Sequence, residues 1–475
     1  MEEGMKKITL VLAVFLVLVM VVPSFATNGY QLIGVGQKQK SMGGAVTAAP
    51  MDAMTAITNP AGMARIGNRA DFSMEAFMPD RQVDFTDESL EGGKERGGSK
   101  LYGIPALGWT APAFGRNDMF FGGGMFATSG LGVDYGQSTM MPADKLQGCT
   151  DALGNFLPSC SDITFDGYSA IQFWKMAPTV AWNVNDQLSL GIALNIDYQS
   201  VTIREKIGNV PFWNNPDNPF AGVYQMDVKL DLGRPTNQMG YGGSIGVLFD
   251  ATPWLTLGAS YTTKQYFKPA EYRVGAGDVV NYNGATGEPG TYKLDLDYPQ
   301  QAAFGIAVKP HDMVMLTADV KWINWSDTHD DVTLEGPADS FNAAFNPSGK
   351  TDETDLEFGW EDQWVYAVGL QVQPVDRLNI RAGYNYAKAP LDTKDVFNNL
   401  IFPAIVEQHF AVGFDYMFGE HWGIGLTYMK AMKESMKGKY DVPQGFQDNT
   451  PFEESSNTKI SLEEDSFGIQ LTYVF

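Results

Sequence analysis

Along most of this 475-residue chain, apolar residues occupy every second position in segments of about ten residues, and this alternation restricts the fold more than any other feature. The last segment is the clearest. Phe467, Ile469, Leu471, Tyr473 and Phe475 share one face of an extended chain, and Ser466, Gly468, Gln470, Thr472 and Val474 share the other. The pattern returns at Trp422, Ile424, Leu426 and Tyr428, at Phe410, Val412, Phe414 and Tyr416, at Leu378, Ile380, Ala382, Tyr384 and Tyr386, and at Val314, Leu316, Ala318, Val320 and Trp322. The intervening residues are small or polar. A soluble sandwich would hide the apolar face and rarely carry aromatic rings outward at both strand ends. A barrel in lipid places such rings at the two bilayer interfaces.

The connections alternate in length as such a barrel requires. Short ones fall near residues 115–118, 183–187, 252–254, 310–313, 374–377 and 419–421, and long ones near 88–99, 137–166, 208–224, 273–291, 336–358, 391–404 and 437–457. Residues 72–475 are therefore predicted to form an all-β, transmembrane, antiparallel β-barrel of about 14 strands. After the N-terminus no apolar run is long enough for a spanning helix.

Lys6 and Lys7 precede an apolar run from Ile8 to Val22, and Ser24-Phe25-Ala26 supplies small residues for cleavage, so residues 1–26 read as a secretory signal peptide. An uncleaved anchor helix is the alternative. Glu2 and Glu3 suit such a leader poorly, which makes Met5 a candidate start. In an exported chain, Cys149 and Cys160 suggest one disulfide closing a short loop, the alternative being two unpaired thiols. The net charge of −23 argues against nucleic acid or an anionic bilayer surface as partner. Acidic runs at Asp330-Asp331, Asp352-Glu353 and Glu463-Glu464-Asp465 read as solvated loop charge, or as cation-bridged contacts to anionic outer-leaflet lipid.

Residues 27–71 break the alternation. From Thr27 to Ile66 the chain is rich in glycine and small residues, and Pro50 and Pro60 restrict any helix to a short one. Such a segment must pack inside something larger, and it reads as a small, partly helical hatch plugging the lumen. Its motifs, Gly29-Tyr30-Gln31-Leu32, Ser41-Met42-Gly43-Gly44-Ala45, Asp52-Ala53 and Asn59-Pro60-Ala61-Gly62-Met63, resemble the N-terminal hatch of the FadL/TodX family of outer-membrane channels for long-chain fatty acids and other hydrophobic molecules. Tyr298-Pro299-Gln300, Trp325-Ser326, Trp360 with Asp362, and Arg381-Gly383-Tyr384 leading to Pro390 resemble its strand-end motifs in the family order.

The resemblance implies a fourteen-stranded barrel in the outer membrane of a Gram-negative type cell. Its hatch moves, and its third strand kinks to release ligand sideways into the bilayer. Gly122, Gly123 and Gly124 are the candidates for that kink, because consecutive glycines weaken a strand and permit a bulge; a barrel corner or close hatch packing is the alternative. Asn59, Pro60, Ala61 and Gly62 form a rigid turn, to which the resemblance adds a gating role. Lys321 and Arg381 fall on the lumenal face and are candidates for a ligand carboxylate, with Arg204 a third. Ion pairs to Asp319, Glu407 or Asp415 are the competing assignment. Ser200 stands where the family carries a basic residue, which leaves room for uncharged hydrocarbons. The expected protein is a monomer that passively moves long-chain fatty acids or similar hydrophobic molecules, in contact with outer-membrane lipid and lipopolysaccharide. No metal, cofactor or catalysis is expected. A hydrocarbon channel and a polar-solute porin or structural barrel are the alternatives.

Overall fold

The computed structural model describes residues 28–146, 149, 160–213, 223–275, 288–341, 349–439 and 457–475. The expected signal peptide lies outside the described residues. A ring of 14 antiparallel strands forms the wall. In chain order they are β1 (Arg69–Asp84), β2 (Tyr102–Pro112), β3 (Met119–Met141), β4 (Ile163–Met176 continued by Thr179–Asn183), β5 (Leu188–Trp213), β6 (Val223–Thr252) and β7 (Leu255–Thr262). There follow β8 (Gln301–His311), β9 (Val314–Ile323), β10 (Gln363–Val375), β11 (Leu378–Ala387), β12 (Gln408–Phe418), β13 (Trp422–Lys439) and β14 (Asn457–Val474). Pairing of Arg69 with Val474 and of Asp84 with Lys459 closes the ring between its first and last strands.

The alternation read from sequence sets which way each side chain points. Phe467, Ile469 and Leu471 stand exposed on the outer face while Ser466, Gln470 and Thr472 are buried in the lumen. The same division holds in β12, where Phe410, Val412 and Phe414 face outward and Ala411 and Asp415 inward.

β3, β5 and β6 run for 23, 26 and 30 residues, far more than the 9–11 or so that cross a bilayer. Their outer ends carry polar residues on the outside, such as Arg204 and Lys206, and apolar ones inside, among them Tyr135, Ile203 and Leu230. These join Phe165, Trp325, Trp360, Ile401 and Phe402 in one buried apolar cluster above the membrane. Each large side chain buried there contributes about 1.5–3 kcal/mol. A second sheet of four short strands, Ala270–Val274, Gly290–Leu294, Asp331–Glu335 and Glu353–Glu357, covers this cluster with Tyr272, Tyr292, Leu334 and Leu356. From sequence, residues 273–291 and 336–358 are expected to be long connections, which include Glu353–Glu357, overlap Ala270–Val274 and Gly290–Leu294, and adjoin Asp331–Glu335. These strands are hard to see in the sequence because each offers only one to three apolar positions among polar or charged ones.

Cys149 and Cys160 are joined in a disulfide with a Cα–Cα distance of 5.8 Å. The hatch contains two short helices, α1 (Gln37–Ser41) and α2 (Thr55–Thr58), and a 3-10 turn over Pro60–Ala64. β1 begins at Arg69, just before the expected hatch boundary.

Candidate functional site

The hatch touches the wall through two chemically opposite faces. The polar face is α1, whose sequence QKQKS would suit solvent but is wholly buried. A buried polar helix needs a partner for every group. Gln37 donates from Nε2 to Ser73 Oγ at 2.9 Å and from its backbone N–H to Gln470 Oε1 at 2.7 Å. Lys40 pairs with Glu75, which also accepts from Ser466. Asp52 accepts from Gln470 at 2.9 Å, and the Ala53 N–H donates to Asp71 at 3.0 Å. All these wall partners lie on β1 and β14.

The opposite face is apolar. Val35, Met54 and Met63 pack against Ala106, Phe126, Ala177, Ala181 and Ala193 on β2 to β5. Small wall residues let the hatch approach closely here; a Cβ at Gly122 would lie 2.6 Å from Met63 Cε.

The turn at Asn59-Pro60-Ala61-Gly62 fastens the hatch between these faces. Asn59 Nδ2 donates to Thr47 O at 2.7 Å within the hatch and to Val247 O at 3.1 Å on β6, while its Oδ1 accepts from the Ala61 N–H at 3.2 Å. The last contact caps the 3-10 turn, with Pro60 in its first position. Gly191 and Gly246 leave the room: a Cβ at either would overlap the turn. Next to it, Arg65 bridges to Asp250 at 2.5 Å.

At Gly123 and Gly124 the wall keeps its regular ladder on one side only, with the Ala177 N–H still donating to Gly124 O at 3.3 Å on the other. β2 continues its register through Gly108–Gly124 and Trp109–Gly123. Toward β4, pairing passes from Met125–Met176 to Gly122–Thr179, and between them Gly123 and Gly124 face Ala177 and Pro178 outside the ladder. Pro178 has no N–H to donate, and Gly123 takes φ +136°. The strands remain in contact, since a Cβ at Gly123 would overlap the Ala177 carbonyl oxygen. The site is a closed seam short of hydrogen bonds. The register shift expected at the glycines lies farther along, between Ala127 and Ser129. There the start of the hatch joins β3, through Leu32 N–H to Thr128 O at 3.1 Å and Gly130 N–H to Tyr30 O at 3.2 Å.

Above the hatch lies a lumenal chamber of about 100 Å³. Lys321, Lys175, Asp319, Gln31 and Tyr298 supply much of its polar lining. Lys321 Nζ donates to Gln31 Oε1 at 2.6 Å. Lys175 Nζ lies 3.2 Å from Asp197 and 3.0 Å from Gln265 Oε1. Sequence reading missed Lys175, although its spacing from Ile171 and Phe173 places it on the inward face. Arg381 is not in this chamber. It forms an ion pair with Asp415 and donates to Gln371 at 2.7 Å, the competing assignment weighed from sequence. Arg204 is on the outer face of β5, exposed, 3.2 Å from Asp166, so the lumenal role expected of it is withdrawn. The structure thus places Lys321 in the chamber against the hatch and leaves the two arginines outside the chamber.

Over the chamber sits an aromatic nest. Tyr30, near the start of the hatch, packs its ring against Trp325, Trp360, Tyr298 and His329. Its hydroxyl is 2.9 Å from His329 Nε2, and Thr328 Oγ1 is 2.7 Å from Nδ1. Burial in this nest pushes the His329 pKa down to about 3. An apolar cavity of about 20 Å³ remains beside it, between Tyr30, Ile203, Trp360 and Phe402. The much larger apolar depression of about 960 Å³ is on the lipid face of β10 to β14 and β1.

The model of the family described as outer membrane protein transport protein (OMPP1/FadL/TodX) matches residues 159–473. The chain belongs to this family. As a member of the OMPP1/FadL/TodX family it is an outer-membrane β-barrel with a transport role. Among solved structures it resembles the P. putida toluene transporter TodX at 19% identity and TM-score 0.67, covering 94% of this chain and 99% of that one. A Pseudomonas aeruginosa FadL homologue matches at 17% identity and TM-score 0.67, covering 94% and 100%. The Ralstonia pickettii toluene transporter TbuX matches at 17% identity and TM-score 0.63, covering 94% and 99%. These likenesses are of fold. No curated protein matches the sequence.

Proposed function

We propose that this OMPP1/FadL/TodX member carries long-chain fatty acids, or similar hydrophobic molecules with an acidic head, passively across the outer membrane and releases them sideways into the bilayer. The observation that carries this reading is the order of compartments. An apolar cluster lies outermost, a small chamber with Lys321 and Lys175 lies beneath it, and the apolar face of the hatch then leads to the sparsely bonded seam at Gly123, Gly124 and Pro178. A tail buried above leaves its carboxylate near the lysines. A hydrophobic molecule gains nothing from the aqueous periplasm, so a weakly bonded wall beside the apolar hatch face is the favourable exit. Asn59 and its neighbours hold the hatch shut until it moves, and α1 on its polar side is the natural pivot.

The competing reading is uptake of uncharged aromatics. It is favoured by the solved structures described as toluene transporters, and by Asp197, which already compensates Lys175. Uptake of labelled oleate and of toluene, in cells lacking their own carriers, separates the two. Under the fatty-acid reading, Lys321→Met weakens oleate uptake about tenfold, as loss of a charged hydrogen bond does, and leaves toluene unchanged. Toluene uptake with no oleate uptake moves the cargo to the uncharged class. Uptake of neither by a correctly inserted protein ends the transport reading.

A further inference from the structure

Glu205 stands in the outer extension of β5 with its side chain turned into the apolar cluster. Its inward row is Val201, Ile203, Glu205 and Ile207, all buried, and Glu205 itself is 8% exposed. It pairs in register with Gly167 on β4 and Leu230 on β6. The inward residues around those positions are Phe165, Ser169, Val228 and Leu232. Ser169 already donates its hydroxyl proton to Ile401 O at 2.6 Å. The basic residues on either side of Glu205 point the other way, Arg204 to Asp166 at 3.2 Å and Lys206 to Asp227 at 2.6 Å. Among the described residues the Glu205 side chain has no hydrogen bond or ion pair.

A carboxyl group buried without a partner is costly, and leucine would fill the same position more stably. Its place gives it a use. Ile203, two residues away along β5, lines the 20 Å³ cavity beside Tyr30. Glu205 is thus about 7 Å farther out, where cargo descending from the outer surface passes first. A hydrocarbon passing here leaves the carboxyl unpaired, and a ligand carboxylate is repelled by its ionised form. A hydroxyl suits both protonation states, because it donates to a carboxylate and accepts from a carboxylic acid.

We infer that Glu205 is a binding group for a hydroxyl on the hydrophobic cargo, so that the channel favours hydroxylated acyl chains over plain ones. This rests on the fatty-acid reading above. The test is paired uptake of oleate and 12-hydroxyoleate by cells that lack their own carrier and express the full chain. The wild-type protein should favour the hydroxylated acid by about tenfold to a hundredfold, the range of one charge-assisted hydrogen bond. Glu205→Leu should remove the preference while keeping oleate uptake. Glu205→Gln should keep part of it, since an amide also donates and accepts; Glu205→Met replaces the leucine variant if leucine disturbs insertion. Equal uptake of the two acids by wild type, or a preference unchanged in the apolar variants, overturns the inference and leaves oleate transport standing. Uptake of neither acid by wild type overturns both.

Discussion

Replacing Asn59 with alanine tests whether the hatch is held by the contacts described. The amide makes three of them: Nδ2 to Thr47 O, Nδ2 to Val247 O, and Oδ1 from the Ala61 N–H. Each of the first two is worth about 1 kcal/mol net, and loss of the cap costs about another 1 kcal/mol. Their sum, about 3 kcal/mol, raises the population of the undocked turn roughly hundredfold. The wall is unaffected, because no strand-to-strand hydrogen bond involves this side chain. Two assays read the effect. Hydrogen exchange of residues 55–65 should accelerate by about that factor while β12 to β14 exchange as before, and planar-bilayer recordings should show conductance events absent from wild type. Asn59→Asp should be worse than alanine, since it sets a carboxylate against the Thr47 and Val247 carbonyl oxygens. Exchange and conductance both within about threefold of wild type would refute the assignment of Asn59 as the fastener.

Three further outcomes are expected. Pro178→Thr restores an N–H opposite Gly123 and Gly124, so it should tighten the seam and cut oleate uptake several-fold without weakening oleate binding to the purified protein; unchanged uptake would place the exit elsewhere. His329 has a folded pKa of about 3, below its ordinary 6.5, so the folded nest binds fewer protons than the unfolded chain. Its contribution to stability is complete above pH ~6.5 and is lost as pH falls toward 3, and exchange of residues 28–32 should rise over that window in wild type but not in His329→Gln. Reducing the disulfide between Cys149 and Cys160, which lie 11 residues apart, should loosen the outer loop alone. Heat-modified gel migration of the barrel should not change, and a shift would mean that the loop supports the wall.

The wall was legible because a strand in lipid is a one-bit code: apolar out, small or polar in. Phe467 and Gln470 obey it, as do Val412 and Asp415. The code fails where the solvent changes. Above the bilayer the rule inverts, so Ile203 points in and Arg204 out, and the facing ends of β5 and β6, residues 208–213 and 223–224, read as part of a loop. Within the hatch nothing local marks α1 as buried, since Lys40 takes its partner Glu75 from 35 residues farther along the chain and Gln37 takes Ser73 from 36 and Gln470 from 433 residues away. The glycines of β3 were visible in the sequence. Pro178, which removes the opposing hydrogen-bond donor, was not recognised, because it looks like any residue between two half-strands until the register is known.

The polar anchors of α1 have a bearing on assembly. Ser73 and Glu75 belong to the first strand, Ser466 and Gln470 to the last, and these two strands form the closing seam of the ring. The hatch therefore holds the two ends of the wall at once. It is translated ahead of every strand, yet its docking surface is incomplete until the final one has been added. Closing the cylinder and seating the hatch draw on the same side chains, so a barrel shut in the wrong register would present no matching cradle for Gln37 and Lys40.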